Sequence, residues 1–273
     1  MTTGVVAFQG ERGAFSEDAV ARLFGDAPVL PRRTLADVFE ATWRGEAAFA
    51  VVPVENSQAG SINDTYDLLR KYELNICGEV YLRVSHCLMA LAGETIECIA
   101  KVYSHPQALA QCEDYLARLK VEIVPTYDTA GSAKMIREQG LRGCAAVASR
   151  RAAQFYGLEI LAANIETNPQ NYTRFLAISR EKAERAPQSK TSIIFAVPNV
   201  PGALYACMGA FAKRQINLTK LESRPSRDRP WEYIFYADFE GHEDDQACVE
   251  ALAELRAARS LIRVLGSYPC AEP

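Results

Sequence analysis

The chain is poor in the residues that carry metal or redox chemistry. Its 273 residues include three histidines. None is spaced as a metal pair, so no metal centre is expected. The eight cysteines (77, 87, 98, 112, 144, 207, 248 and 270) never form C-x-x-C. Scattered through a chain this long, they suit free thiols in a reducing compartment, not a disulfide or zinc framework. No run approaches the ~18 uncharged apolar residues of a membrane span. The opening "MTTGVVAFQGERGAF" has no basic region followed by a long apolar one, so no secretory leader is expected and the expected location is cytoplasmic. Positive charge is also in short supply. The net charge is -4 and the pI near 5.6, which argues against a nucleic-acid partner. Walker A, G-x-S-x-G and G-x-G-x-x-G patterns are missing, and the two glycines of "GERGAF" (10–15) have the wrong spacing for a dinucleotide. No cofactor is expected.

What is present is a globular composition, 49% hydrophobic and 23% charged, at a length that suits two domains. Residues 1–180 alternate between strand-like and helix-like segments. "VVAFQ" (5–9) is a short apolar run. "SEDAVARLFG" (16–25) is a helix capped by Ser16 and stopped by Gly25. "LADVFEATWRG" (35–45) places Leu35, Val38, Phe39 and Thr42 on one helical face. "AAFAVVPVEN" (47–56) is a buried strand and "INDTYDLLRKY" (62–72) a helix. The pattern continues through "KVYSH" (101–105), a helix over 106–119, a strand over 121–127, a helix over 129–140 and "CAAVAS" (144–149). Such alternation predicts an α/β fold. "FAVVPVENS" and "CAAVASRRA" both run a buried strand into polar residues before a helix. That echo predicts two similar lobes, with both junctions facing a cleft. Residues 181–191 have linker composition. Beyond them, a strand (192–199), a helix (201–215), two strands (217–225 and 231–241), a helix (244–259) and a last strand (260–266) follow, a βαββαβ order that is ferredoxin-like.

Each polar motif has a bland reading beside a functional one. In "VPVENSQAGSI" (52–62), Glu55, Asn56 and Ser57 either cap a connection or offer hydrogen bonds at a cleft edge. In "YSHPQALAQC" (103–112), Ser104 precedes a helix started by Pro106. Gln111 flanks the helix's apolar face, and His105 reads as a turn residue. In "NYTRFLAIS" (171–179), alternation sends Thr173 and Phe175 to one side and Tyr172 and Arg174 to the other. A partly buried Arg174 needs an anionic partner: Glu55, another acid, or a substrate carboxylate. "NVPGALY" (199–205) enters a helix through Pro and Gly, and "ESRP" (222–225) ends a strand. A zwitterionic amino acid would suit that pair, with its carboxylate at the helix start and its amine at Glu222.

In order and together, "GERGAFSEDA", "VPVENSQAGSI", "YSHPQALAQC", "NYTRFLAI", "PGALY" and "ESRP" make the chain resemble the prephenate dehydratases that carry a C-terminal ACT regulatory domain. No helical chorismate-mutase segment is seen before Val5, as in the monofunctional form. The resemblance implies a two-lobed, periplasmic-binding-protein-like catalytic domain over 1–180, a linker over 181–191 and a ferredoxin-like ACT domain over 192–273. It implies decarboxylative dehydration of prephenate to phenylpyruvate with no cofactor and no metal. It makes Thr173 the group at the departing hydroxyl, with Arg174 and Glu55 as further catalytic candidates. Asn56, Ser57, Ser104, Gln111 and Phe175 become substrate-binding candidates. Asn199, Gly202, Ala203, Leu204, Glu222, Ser223 and Arg224 match the effector motifs, which in this family sense phenylalanine across a subunit interface. Tyr205 departs from the smaller aliphatic residue more usual there. A homodimer or homotetramer is the implied assembly, with no nucleic-acid or membrane partner. Arogenate dehydratase is the nearest alternative; a non-catalytic amino-acid sensor is another.

Overall fold

The computed structural model describes residues 4–225, 233–257 and 261–272. The chain divides into two units. One is built from the segment ending at Thr65 and from Val80–Phe175; the other comprises Tyr66–Glu79 and Leu176–Glu272.

In chain order the elements are β1 (Val6–Gln9), α1 (Phe15–Phe24), β2 (Val29–Arg32), α2 (Leu35–Arg44), β3 (Phe49–Asn56), β4 (Gly60–Ser61), α3 (Asn63–Lys71) and β5 (Asn75–Arg83). Then come β6 (Cys87–Ala90), β7 (Lys101–Ser104), α4 (Pro106–Gln111), α5 (Glu113–Leu119), β8 (Glu122–Pro125), α6 (Thr129–Gln139), β9 (Cys144–Ala148), α7 (Arg150–Tyr156), β10 (Glu159–Ala163) and β11 (Tyr172–Ser179). One sheet has the order β2-β1-β3-β11-β5, with β4 hydrogen-bonded to β3; the other runs β10-β6-β9-β7-β8. β1 is parallel to both β2 and β3, and β7 is parallel to β8 and β9, whereas β6 is antiparallel to β9 and β10.

The second sheet shows how alternation builds two cores. Cys87 and Met89 of β6, with Ala146 and Ala148 of β9, join a cluster containing Val6, Phe8, Ile136 and Phe175. Their neighbours Leu88, Ala90, Ala145 and Val147 point the other way, onto Leu109 of α4, Leu116 of α5 and Cys112 between them. A strand covered on both faces carries apolar residues at every position, which explains the unbroken runs "CLMA" and "CAAVA".

Helix starts follow their side chains. Thr34 and Asp37 form a reciprocal capping box on α2, Asp128 caps α6 and Ser149 caps α7. All four residues assigned to the inner face of α2 are buried. α1 departs from expectation. It starts at Phe15 behind Ala14, and Ser16 lies within its first turn. The Glu17 carboxylate turns back to accept from Gly13 N at 2.5 Å and from Arg12 Nε at 2.9 Å, doing the work expected of a cap. The single helix expected over 106–119 is two, broken at Cys112 (φ -112°, ψ 15°). There the Gln111 carbonyl accepts from Thr167 N at 2.8 Å. β2, β4, β5, β6 and β10 are not anticipated by the sequence pattern.

Beyond β11 lie β12 (Ser189–Ala196), α8 (Ala203–Ala212), β13 (Leu218–Pro225), β14 (Tyr233–Glu240), α9 (Gln246–Ala257) and β15 (Leu261–Pro269). This is the expected βαββαβ order, with the antiparallel sheet β13-β14-β12-β15. Parts of the expected strands at 231–241 and 260–266 and of the helix at 244–259 fall on 231–232 and 258–260, outside the described residues. One sheet face packs on α8 and α9 through Ile193, Phe195, Cys207, Phe211, Phe239 and Leu252. The residues between these along the strands bind the segment 66–79. Tyr236 Oη donates to Tyr66 O at 3.0 Å, Lys190 Nζ pairs with Glu79 at 2.6 Å, and Arg263 donates to Arg70 O and Tyr72 O at 3.1 and 2.6 Å.

Candidate active site

A cavity of about 180 Å³ is lined by residues from β3, α1, α4, α6, β11 and the connections around them. Its polar lining is Ser16, Asn56, His86, His105, Gln107, Gln111, Thr129 and Thr173, set among Phe15, Pro53, Ile62, Val84, Ala108 and Phe175. Four of the eight residues proposed for catalysis and substrate binding therefore meet in one place: Asn56, Gln111, Thr173 and Phe175.

Asn56 ends β3 and is buried. Its Oδ1 accepts from the backbone N–H groups of Gln58 and Ala59 at 3.1 and 2.9 Å. Backbone N–H can only donate, so the amide orientation is fixed. Nδ2 then faces β11, donating to Asn171 Oδ1 at 2.8 Å and Thr173 Oγ1 at 2.9 Å, with Tyr172 O at 3.2 Å. The Thr173 oxygen is thus an acceptor towards Asn56. Its own hydrogen has no acceptor among the described residues. A hydroxyl donates once and accepts twice, so Thr173 keeps one donated hydrogen bond for whatever fills the cavity. β11 is otherwise buried almost throughout, which holds this hydroxyl in place.

The same alternation that brings Thr173 and Phe175 inward sends Arg174 away. Its guanidinium lies 6.0 Å over the Tyr81 ring and does not line the cavity. Ser104 does not line the cavity either. It is fully buried, and its Oγ donates to Val147 O at 2.6 Å, tying β7 to β9. Ser57 clasps the entrance of β11, donating to Gln170 O at 3.1 Å and accepting from Tyr172 N at 3.0 Å. Glu55 pairs with Ser61 in the β3–β4 register and is not part of the lining. Ser149, at the second of the two look-alike junctions, caps α7 and donates to Gly13 O at 2.5 Å; it too is absent from the lining. His105 has the turn role expected of it, capping α4 by accepting from Gln107 N at 3.2 Å, and it also borders the cavity.

Sequence reasoning singles out neither His86 nor Asn171. His86 sits before β6 in "RVSHCLM", where no motif marks it; only proximity to Gln111 reveals it. Its Nε2 is 2.9 Å from Gln111 Oε1, its backbone N–H donates to Glu166 at 3.0 Å, and its ring meets Phe15 edge-on at 5.3 Å. Burial pushes its pKa below the ordinary value. Beside the cavity, burial raises the Cys112 thiol to about 12, so this cysteine is not a thiolate nucleophile.

In the C-terminal sheet, Gly202 has φ +82° and leads into α8 with Ala203 and Leu204 in the first turn; Asn199 is exposed just before it. β13 pairs Glu222 with Tyr236 and Arg224 with Ile234, so both side chains lie on the sheet face away from α8, and Arg224 is 3.6 Å from Asp67. Ser223 pairs with Phe235 and lies on the helix side. Within one chain, therefore, the start of α8 and Glu222 do not form the joint amino-acid site read from the sequence.

Comparison with known proteins agrees with this architecture. The prephenate dehydratase family model matches residues 6–183 and the ACT domain model residues 191–257. The arogenate dehydratase/prephenate dehydratase 2 of Arabidopsis thaliana, a chloroplastic protein, is 45% identical over 97% of this chain and 72% of its own length. The prephenate dehydratase of Arthrobacter aurescens, solved with L-Phe, is 33% identical, with a TM-score of 0.89 over 98% of this chain and 90% of its own. GqqA, described as a novel type of quorum quenching acylase, is 38% identical, with a TM-score of 0.90 over 98% of both chains. The chain belongs to the prephenate dehydratase family of hydro-lyases and carries an ACT domain.

Proposed function

We propose that the chain converts prephenate to phenylpyruvate, with arogenate as the alternative substrate, and that L-phenylalanine regulates it. The observation that carries the reading is the Thr173 hydroxyl, oriented by Asn56 with its hydrogen left for the cavity. In the reaction the ring C–OH bond breaks with its electron pair on oxygen, and the ring carboxylate leaves as CO2, its electrons entering the ring. One proton is consumed as the hydroxyl departs as water. Aromatisation supplies the driving force, so the site's task is to hold the substrate, exclude water and stabilise the leaving oxygen. Thr173 donates to that oxygen. A Thr hydroxyl is a weak acid, so it acts as a hydrogen-bond donor or a relay for a proton from elsewhere.

An amide-cleaving acylase would need a base within reach of a nucleophile's proton. The one partner of Thr173 Oγ1 among the described residues is an amide N–H, which cannot take a proton. The site geometry therefore favours elimination. For regulation, support comes from the ACT match and from the L-Phe complex of the Arthrobacter relative. The start of α8 and Glu222 lie on opposite sheet faces. An effector site using both would need a second copy, in keeping with a homodimer or homotetramer.

The test is to incubate the purified chain with prephenate and, separately, with arogenate, following phenylpyruvate and phenylalanine. Phenylpyruvate from prephenate supports the reading; product from arogenate alone moves it to the alternative. No product from either overturns it.

A further inference from the structure

Gln111 reaches the cavity from the last position of α4. A primary amide has an accepting and a donating end, and a ligand meets whichever end the protein leaves unused. His86 settles which end that is. Its Nε2 lies 2.9 Å from Gln111 Oε1, whereas its Nδ1 is buried with no partner among the described residues. Burial disfavours the charged ring, so the imidazole is neutral and carries one hydrogen. Placed on Nδ1, that hydrogen would be a buried orphan donor. Placed on Nε2, it is used, and only a lone pair goes unmatched. Buried orphan N–H groups are the rarer of the two, so the hydrogen belongs on Nε2. Gln111 Oε1 is then the acceptor. The Gln111 amide nitrogen, with two N–H groups and no partner among the described residues, is left for the cavity.

The ring is held in this pose from several sides. His86 N donates to Glu166 Oε2 at 3.0 Å, and Ile165 N donates to His86 O at 3.1 Å. Glu166 is itself fixed by Arg83 Nη2 at 3.0 Å, and Phe15 closes the ring's open side. Asn56 is oriented in the same manner, by backbone N–H groups in place of an imidazole. The outcome is a cavity with two oriented donors, the Thr173 hydroxyl and the Gln111 amide, and, among the described residues, no Asp, Glu, Lys or Arg in its lining. Such a set suits oxygen atoms that carry or gain negative charge.

We propose that His86 is a positioning residue that fixes Gln111 as a hydrogen-bond donor to the substrate. The proposal rests on the dehydratase reading, but its first test does not. The protein has three histidines, at 86, 105 and 242. Their 15N imidazole spectra can be assigned with single His105→Gln and His242→Gln variants. The neutral Nε2–H tautomer is expected for His86 in the wild-type protein; an Nδ1–H tautomer overturns the proposal without any variant having to fold. The second test is a double-mutant cycle on kcat/KM with His86→Leu, Gln111→Met and both together. His86→Leu is expected to cost roughly 10- to 100-fold alone, as loss of a residue that orients a contacting group does elsewhere, and only about 3-fold or less when Gln111 is already Met. A cost that is the same in both backgrounds means that His86 is merely structural. Absence of turnover in wild type would instead count against the dehydratase reading and leave the spectra to judge His86.

Discussion

At the scale of single residues, the site depends on which atoms donate. Thr173→Val keeps the shape of the side chain and removes only the hydroxyl. It is expected to lower kcat by about 100-fold or more, the low end for loss of a stabilising donor, while circular dichroism stays unchanged. Thr173→Ser, which retains the hydroxyl, should remain active; a Val variant with near-normal turnover would remove Thr173 from the mechanism. Asn56→Asp is a sharper probe. The carboxylate can still accept from Gln58 and Ala59 N–H, but it can no longer donate to Thr173. The hydroxyl would then turn its hydrogen towards the introduced carboxylate and away from the cavity, so steady-state rates should fall about as far as in Thr173→Val. His86 carries a pH prediction too. Its folded pKa lies below the ordinary 6.5, so the unfolded chain binds the extra proton first as pH falls. Stability should be at its fullest above about pH 6.5 and decline below it. Urea unfolding at pH 7.5 and 5.5 should show a smaller decline for His86→Leu than for wild type; an equal decline would show that His86 is not its source.

At the scale of elements, the β1–α1 connection makes a close backbone approach near the site. Gly13 has φ +85°, and a Cβ there would lie 2.5 Å from Ala152 Cα and 2.9 Å from Ala152 N, at the start of α7. Gly157, at φ +63°, has open space around it. Gly157→Ala should cost about 1 kcal/mol for its left-handed backbone alone. Gly13→Ala should cost roughly 2–4 kcal/mol by adding a backbone clash, and it should lower activity because α1 brings Phe15 and Ser16 to the cavity. Equal losses in urea titrations of the two variants would mean that the loop yields to the clash. The same region shows what is legible in the sequence. The inner face of α2, the break at Gly25 and the alternation of β11 follow from short-range chemistry, and all are readable. The split at Cys112 is not, because it depends on a hydrogen bond to the Gln111 carbonyl from Thr167, far along the chain. Ser104 and Arg174 stand inside matching motifs, yet their side chains are taken up by Val147 O and packed over the Tyr81 ring. A motif records that residues occur together and does not say which of them turn inward.

At the scale of the whole molecule, removing the C-terminal domain is not a clean way to ask what it does. The segment 66–79 lies early in the chain, yet its compact unit is shared with residues 176–272. Arg263 donates to Arg70 O and Tyr72 O, beside the C-terminal end of α3, where carbonyls lack helical partners. Tyr236 Oη supplies Tyr66 O, and Lys190 is ion-paired with Glu79 at a site where both side chains are at most 5% exposed. Gly266 passes so close to Ile76 that an added Cβ would lie 2.2 Å from its carbonyl oxygen. Ending the chain at residue 189 removes all of these partners at once. Losing one member of a buried ion pair is strongly destabilising, and the freed carbonyls and apolar side chains must then meet water. The truncated chain is therefore expected to melt well below the full-length protein and to lose turnover, not merely its response to phenylalanine. Regulation is better tested by Gly202→Ala, an exposed position at φ +82° with open space around it. That variant should melt within a few degrees of wild type while calorimetry shows weakened phenylalanine binding. If the chain ending at 189 melts and turns over like the full-length protein, then the C-terminal sheet does not support residues 66–79, and the dependence expected from their shared packing is refuted.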